Sequence, residues 1–213
     1  MIVTVLSIAS AGSDEIAVTL ELCEGDSHCK ERFVISTDAY TRLNISKGEC
    51  NREKYDEIES EAKIHSAFKR GLYLLGFGAS SKKNLLSKLI AKRFDKESAE
   101  IAVDRIEACG YLCESASASR EAEICAAKLW GETRIRAQLM QKGYSKESAD
   151  EAIYALLDSG IDFEENCKSL IKKKCDPLPS DRTEMQKLIF SLMRYGYSIS
   201  QIKSACSSLI VEE

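Results

Sequence analysis

Phe94-Asp95-Lys96-Glu97-Ser98-Ala99-Glu100 returns as Tyr144-Ser145-Lys146-Glu147-Ser148-Ala149-Asp150, fifty positions further along the chain. The register extends outward in both directions. Leu85 and Leu89 fall on Ile135 and Leu139, and Ala102, Val103 and Ile106 fall on Ala152, Ile153 and Leu156. Gly110-Tyr111 falls on Gly160-Ile161. A more divergent third copy follows. In it Leu188, Leu192, Gly196, Tyr197 and Ser198 match Ile135, Leu139, Gly143, Tyr144 and Ser145, and Ala205 and Leu209 match Ala152 and Leu156.

The matched residues describe a helical unit. Leu85/Leu89 and Ile135/Leu139 are i,i+4 pairs, which lie on one face of a helix. That helix closes at Arg93, Gly143 or Gly196, and glycine there can take the positive φ that ends a helix. An aromatic follows (Phe94, Tyr144, Tyr197), and then an N-cap: Asp95, Ser145 or Ser198. Ser198 with Gln201 three residues on fits a capping box. The next helix ends at Gly110 or Gly160. A preceding helix, at about 60–76, 114–130 and 163–174, completes each unit. A period near fifty exceeds the ~34 of tetratricopeptide and the ~40–47 of HEAT and armadillo repeats. Units of this kind stack, each covering its neighbour's apolar face.

The first fifty residues follow a different pattern. In Glu15-Ile16-Ala17-Val18-Thr19-Leu20-Glu21-Leu22 the large apolar residues fall on every second position, as on one face of a strand. Ala11-Gly12-Ser13-Asp14 and Gly25-Asp26-Ser27 read as turns, and Phe33 and Ile35 suggest a third strand. Three strands need something to pack on, and helices at Asp38–Leu43 and Asn51–Leu75 supply it. The expected fold is therefore mainly α. It consists of three tandem three-helix units (51–112, 113–161, 162–213) in an elongated curved array, behind a small antiparallel β-sheet domain (1–50).

Composition narrows the function. The chain has 213 residues, 44% of them hydrophobic, with two prolines. That is enough for a substantial core. No apolar run approaches the ~20 residues of a membrane span. The N-terminus, MIVTVLSIAS, alternates like a strand and lacks a basic leader, so a cytoplasmic monomer is expected. The nine cysteines form no CxxC pair, and the thiols are read as reduced. Cys23, His28, Cys29 and Cys50 match no standard metal spacing, so no metal or other cofactor is expected. Phosphate-loop, dinucleotide, HExxH and GxSxG motifs are all absent, which points to a binding protein and not an enzyme. The net charge of −4 is uneven: residues 1–65 carry seven basic and thirteen acidic side chains, and residues 66–213 carry 23 and 21. Phosphate binding by bulk charge is disfavoured.

Three segments together resemble the RecX family, regulators of the RecA recombinase. They are Leu74-Leu75 through Leu85-Leu86-Ser87-Lys88-Leu89, then Cys109-Gly110-Tyr111-Leu112, and above all the string Trp130-Gly131-Glu132-Thr133-Arg134-Ile135-Arg136-Ala137-Gln138-Leu139-Met140-Gln141-Lys142-Gly143-Tyr144. The resemblance covers roughly residues 60–210. The chain departs from the family in Gly76-Phe77-Gly78-Ala79-Ser80-Ser81, which lacks the usual basic residue, and in Cys113-Glu114-Ser115, which keeps one acid. The resemblance implies a protein that binds the RecA filament and inhibits it, in DNA recombination, repair and the SOS response.

Candidate contact residues are the basic side chains of the second helix in the first two units, Lys88, Lys92, Arg134, Arg136 and Lys142, and the run Lys172-Lys173-Lys174. Such groups suit acidic protein surface or DNA phosphate, single-stranded DNA included. Ordinary solvated helix faces look the same, and cations late in a helix also suit its dipole. Trp130, the only tryptophan, is read as packing between units. Two other functions fit the pattern: a helical-repeat DNA binder, and a generic protein-interaction scaffold.

Overall fold

The computed structural model describes residues 2–24, 27–175 and 177–212. Strands β1 (Ile2–Gly12), β2 (Glu15–Glu24) and β3 (Ser27–Ser36) form an antiparallel meander. The expected turn at Gly12–Asp14 joins β1 to β2. At the turn read around Gly25-Asp26-Ser27, Gly25 and Asp26 lie outside the described residues, and Glu24 pairs with Ser27. A fourth strand, β4 (Gly48–Cys50), adds to β1, giving the order β3-β2-β1-β4. Helices α1 (Thr37–Leu43) and α2 (Arg52–Leu75) start at side-chain caps: Ser36 accepts from the Ala39 amide and Asn51 from that of Lys54.

The alternation in the strands sorts their two faces. Val3, Val5, Val18, Leu20 and Ile35 are buried together with Ala39 of α1 and Tyr55 and Ile58 of α2. The sheet thus packs on α2, the helix it needs to be stable. Helices α3 (Lys82–Ala91) and α4 (Lys96–Ala108) follow. Leu85, Leu89, Val103 and Ile106 pack with Phe68, Leu72 and Leu75 of α2.

The remaining helices are α5 (Glu114–Ala126), α6 (Glu132–Gln141), α7 (Lys146–Asp158), α8 (Phe163–Lys174), α9 (Arg182–Arg194) and α10 (Ile199–Glu212). They share one core, which takes in Ile135, Leu139, Ile153, Leu156, Leu188, Leu192, Ala205 and Leu209. Every apolar position matched across the fifty-residue register from Leu85 to Leu209 is buried apart from Phe94, Tyr111 and Ile161. The chain divides into two compact units, Met1–Gly78 with Leu85–Leu112 and Ala79–Asn84 with Cys113–Glu213.

The capping logic of the sequence is realised at the start of α4, α7 and α10. Asp95 accepts from the Ser98 amide and Ser145 from the Ser148 amide. Ser198 and Gln201 form the reciprocal box: the Gln201 amide donates to Ser198 Oγ, and the Ser198 amide donates to Gln201 Oε1. Gly143 and Gly196 hold φ of 87° and 95°, and Arg93 takes the same conformation at 70° without being glycine. Among the described residues, no helix is long and apolar enough to cross a membrane.

Candidate functional site

The string Trp130–Tyr144 builds α6 and both of its ends. At its start Gly131 lies against the turn that closes α9. The Gly131 amide donates to the Tyr195 carbonyl (2.7 Å) and the Thr133 amide to that of Gly196 (3.3 Å). A Cβ on Gly131 would come within 2.5 Å of Gly196 backbone, and one on Gly196 within 2.5 Å of Arg134 backbone. Backbone meets backbone here, so both positions must be glycine. A related contact lies fifty residues earlier, within the same compact unit: Ser81 Oγ donates to the Lys142 carbonyl at 2.7 Å, next to Gly143.

Trp130 and Tyr195 each precede one of the touching glycines, and the close approach brings both rings to one guanidinium. Arg134 Cζ lies 3.9 Å from the Trp130 ring centre and 5.1 Å from that of Tyr195. Lys128 Nζ also lies 5.5 Å from the Trp130 ring centre, and Lys174 Nζ 4.7 Å from that of Tyr195. The result is a row of alternating cations and aromatic rings, Lys128–Trp130–Arg134–Tyr195–Lys174. Cation–ring contacts of this kind contribute about 0.5–1 kcal/mol each at exposed sites. Both rings are half-buried and the two lysines are exposed. The row offers three positive charges held in place by rigid aromatics.

The other candidate cations occupy different surroundings. Arg136 donates from Nε to Asp150 (2.7 Å) and pairs through Nη2 with Glu132 (3.0 Å). Those carboxylates raise its affinity for the proton above the ordinary arginine value, the Asp150 hydrogen bond most. Lys142 pairs with Glu121 at 2.6 Å. Lys172 and Lys173 are exposed near the end of α8. Lys88 and Lys92 are exposed at the end of α3, and neither makes an ion pair among the described residues.

The eight candidates therefore do not form one cluster. Arg134 and Lys174 come together, and Arg136 and Lys142 are engaged by carboxylates of their own unit. Lys128 and Tyr195 belong to the site but were not anticipated from sequence. The signal that could have found them is the pair of aromatic–glycine dipeptides, Trp130-Gly131 and Tyr195-Gly196. Trp130 packs on the core through its half-buried ring, and its face is taken by Arg134. Of the four residues weighed as metal ligands, Cys23 and His28 meet, while Cys29 and Cys50 fall on the opposite face of the sheet.

No family model matches the chain. The solved structures do: a crystal structure of regulatory protein RecX superposes with a TM-score of 0.74, covering 95% of this chain and 99% of its own at 20% identity. RecX from Lactobacillus salivarius superposes with a TM-score of 0.63 over 70% of this chain at 18% identity. At those identities the likeness is one of fold. Sequence relatives carry it further. Regulatory protein RecX of Xanthomonas axonopodis pv. citri is 29% identical over 157 residues, covering 70% of this chain and 95% of its own length. That of Chlorobaculum tepidum is 34% identical over 155 residues, 72% of this chain and 94% of the relative. With such identity sustained across nearly the full length of that relative, the chain belongs to the RecX family of regulatory proteins.

Proposed function

We propose that this protein binds the filament of the RecA recombinase and inhibits its activity in DNA recombination and repair. The reading treats it as a cytoplasmic monomer and as a binding protein without catalysis of its own. The observation that supports it most is the sequence match to regulatory protein RecX across 94% of that relative. In this reading residues 51–112, 113–161 and 162–213 are three copies of one unit, presented to successive parts of the filament so that modest contacts add. The contact residues are the exposed cations outside the carboxylate pairs of Arg136 and Lys142: Lys88, Lys92, Lys172, Lys173 and the ends of the row, Lys128 and Lys174. Arg134 contributes the charge at the centre of that row. Arg136 and Lys142 serve mainly to hold α6 in place.

The test is RecA-dependent ATP hydrolysis on single-stranded DNA, with and without the protein. The expected outcome is a fall in hydrolysis at micromolar protein, and unchanged hydrolysis would refute the reading. Lys128→Glu with Lys174→Glu should weaken inhibition while the far-UV circular dichroism stays as in wild type. Direct DNA binding has one observation in its favour, since a row of cations fixed by aromatic rings also suits phosphate. Its signature would be retention of single-stranded DNA when RecA is absent.

A further inference from the structure

The β2–β3 pair carries a side-chain group that plays no part in RecA binding as proposed. Cys23 stands directly opposite His28, and Glu21 opposite Lys30. Side chains alternate along a strand, so Glu21, Cys23, His28 and Lys30 share the face that points away from Leu20 and Leu22. Cys23 Sγ lies 3.1 Å from His28 Nδ1. One donor atom from each of Glu21, Cys23 and His28 lies within 4.8 Å of the other two.

A thiol, an imidazole and a carboxylate are the donor types of zinc sites, and the soft thiolate selects against magnesium and calcium. A tetrahedral zinc with ordinary bond lengths holds its donors about 3.3–3.6 Å apart. The Cys23–His28 pair is already near that spacing, and the Glu21 carboxylate, within 4.8 Å of both, is brought in by rotation of its own side chain. The backbone needs no change, because the ladder hydrogen bonds between β2 and β3 fix the three Cα positions. The Lys30–Glu21 ion pair is long, at 3.8 Å, and its lysine is 65% exposed. A pair of that kind contributes little and yields to a divalent cation.

We propose that Glu21, Cys23 and His28 form a three-donor site for a divalent cation of the zinc class, with the fourth position left to solvent. Binding replaces the thiol proton of Cys23 with the metal and releases that proton to solvent.

Cobalt(II) is the probe, titrated into the reduced full-length protein and followed by its thiolate-to-cobalt charge-transfer band. A band that zinc(II) then abolishes is expected for wild type and for Cys29→Ser, whose residue lies on the other face. Cys23→Ser should lose the band, and His28→Ala should bind about tenfold more weakly or worse, having lost one of three donors. All these residues are at the surface or half-buried, and far-UV circular dichroism checks that each variant is folded. No band in wild type, a band that survives Cys23→Ser, or unchanged affinity in His28→Ala would overturn the proposal.

Discussion

At the scale of single residues, the turns that close α3, α6 and α9 carry the most readable chemistry. Gly196 combines a φ of 95° with backbone of α6 at 2.5 Å from any Cβ. Gly160, at φ 89°, has nothing within 4 Å of that position. The two therefore separate backbone strain from close approach. Gly160→Ala should cost about 1–2 kcal/mol, the price of a left-handed alanine. Gly196→Ala should cost about 3 kcal/mol or more, because the backbones must also part. Urea midpoints of the two variants measure the difference, and equal losses would mean that the close approach is unimportant. Arg93 presents the reverse case, since it is left-handed at φ 70° and exposed. Arg93→Gly should stabilise by about 0.5–1 kcal/mol, a rise in melting temperature of about 1–3 °C. The need for positive φ was legible at all three turns because the repeat aligns them. That Gly131 and Gly196 touch was not, because the two lie 65 positions apart and no local pattern links them.

At the scale of elements, the helices and their caps were legible because periodicity and capping are local. β4 was not, because three residues are too few for alternation to show. Nor was the carboxylate that ties three helices together. Glu61 of α2 is 8% exposed. It accepts two hydrogen bonds from Arg105 of α4, at 2.9 and 3.0 Å, and another from Arg42 of α1. Burial pushes its carboxyl up, but the Arg105 and Arg42 hydrogen bonds outweigh it and hold the pKa below the ordinary 4.5. Removing Arg105 leaves a largely buried charge with one partner. Arg105→Ala should cost about 2 kcal/mol at neutral pH. Because the folded pKa lies below the unfolded one, the unfolded chain binds the extra proton as pH falls. The contribution is complete above the ordinary carboxylate range and is lost as pH drops through the folded value. The gap in urea midpoint between wild type and Arg105→Ala should therefore narrow below pH 4.5. A gap that stays constant in acid would show that the variant loses packing rather than charge.

At the scale of the whole molecule, charge decides between protein and nucleic acid as the first partner. The net charge is −4, and residues 1–65 contribute an excess of six acidic groups. The string that carries the family resemblance contains Arg134, Arg136 and Lys142. Two of these are neutralised by Asp150, Glu132 and Glu121; the Glu132–Arg136 pair is an i,i+4 pair that local spacing shows, but Asp150 and Glu121 come from other helices and no local pattern links them. Of the cations considered for contact, few are exposed outside those pairs: Lys128 and Lys174 at the ends of the row, Lys172 and Lys173 next to Lys174 in sequence, and Lys88 and Lys92 on α3 and just after it. A protein that engages only two or three phosphates of a single strand loses affinity with salt along a slope of about −2 or shallower. Without RecA, binding to single-stranded DNA should therefore be weak and should follow such a slope in a salt titration. Inhibition of RecA should persist at salt concentrations that abolish that direct binding. A slope much steeper than −2, with inhibition lost over the same salt range, would show that the DNA backbone recruits the protein and that the filament contact comes second.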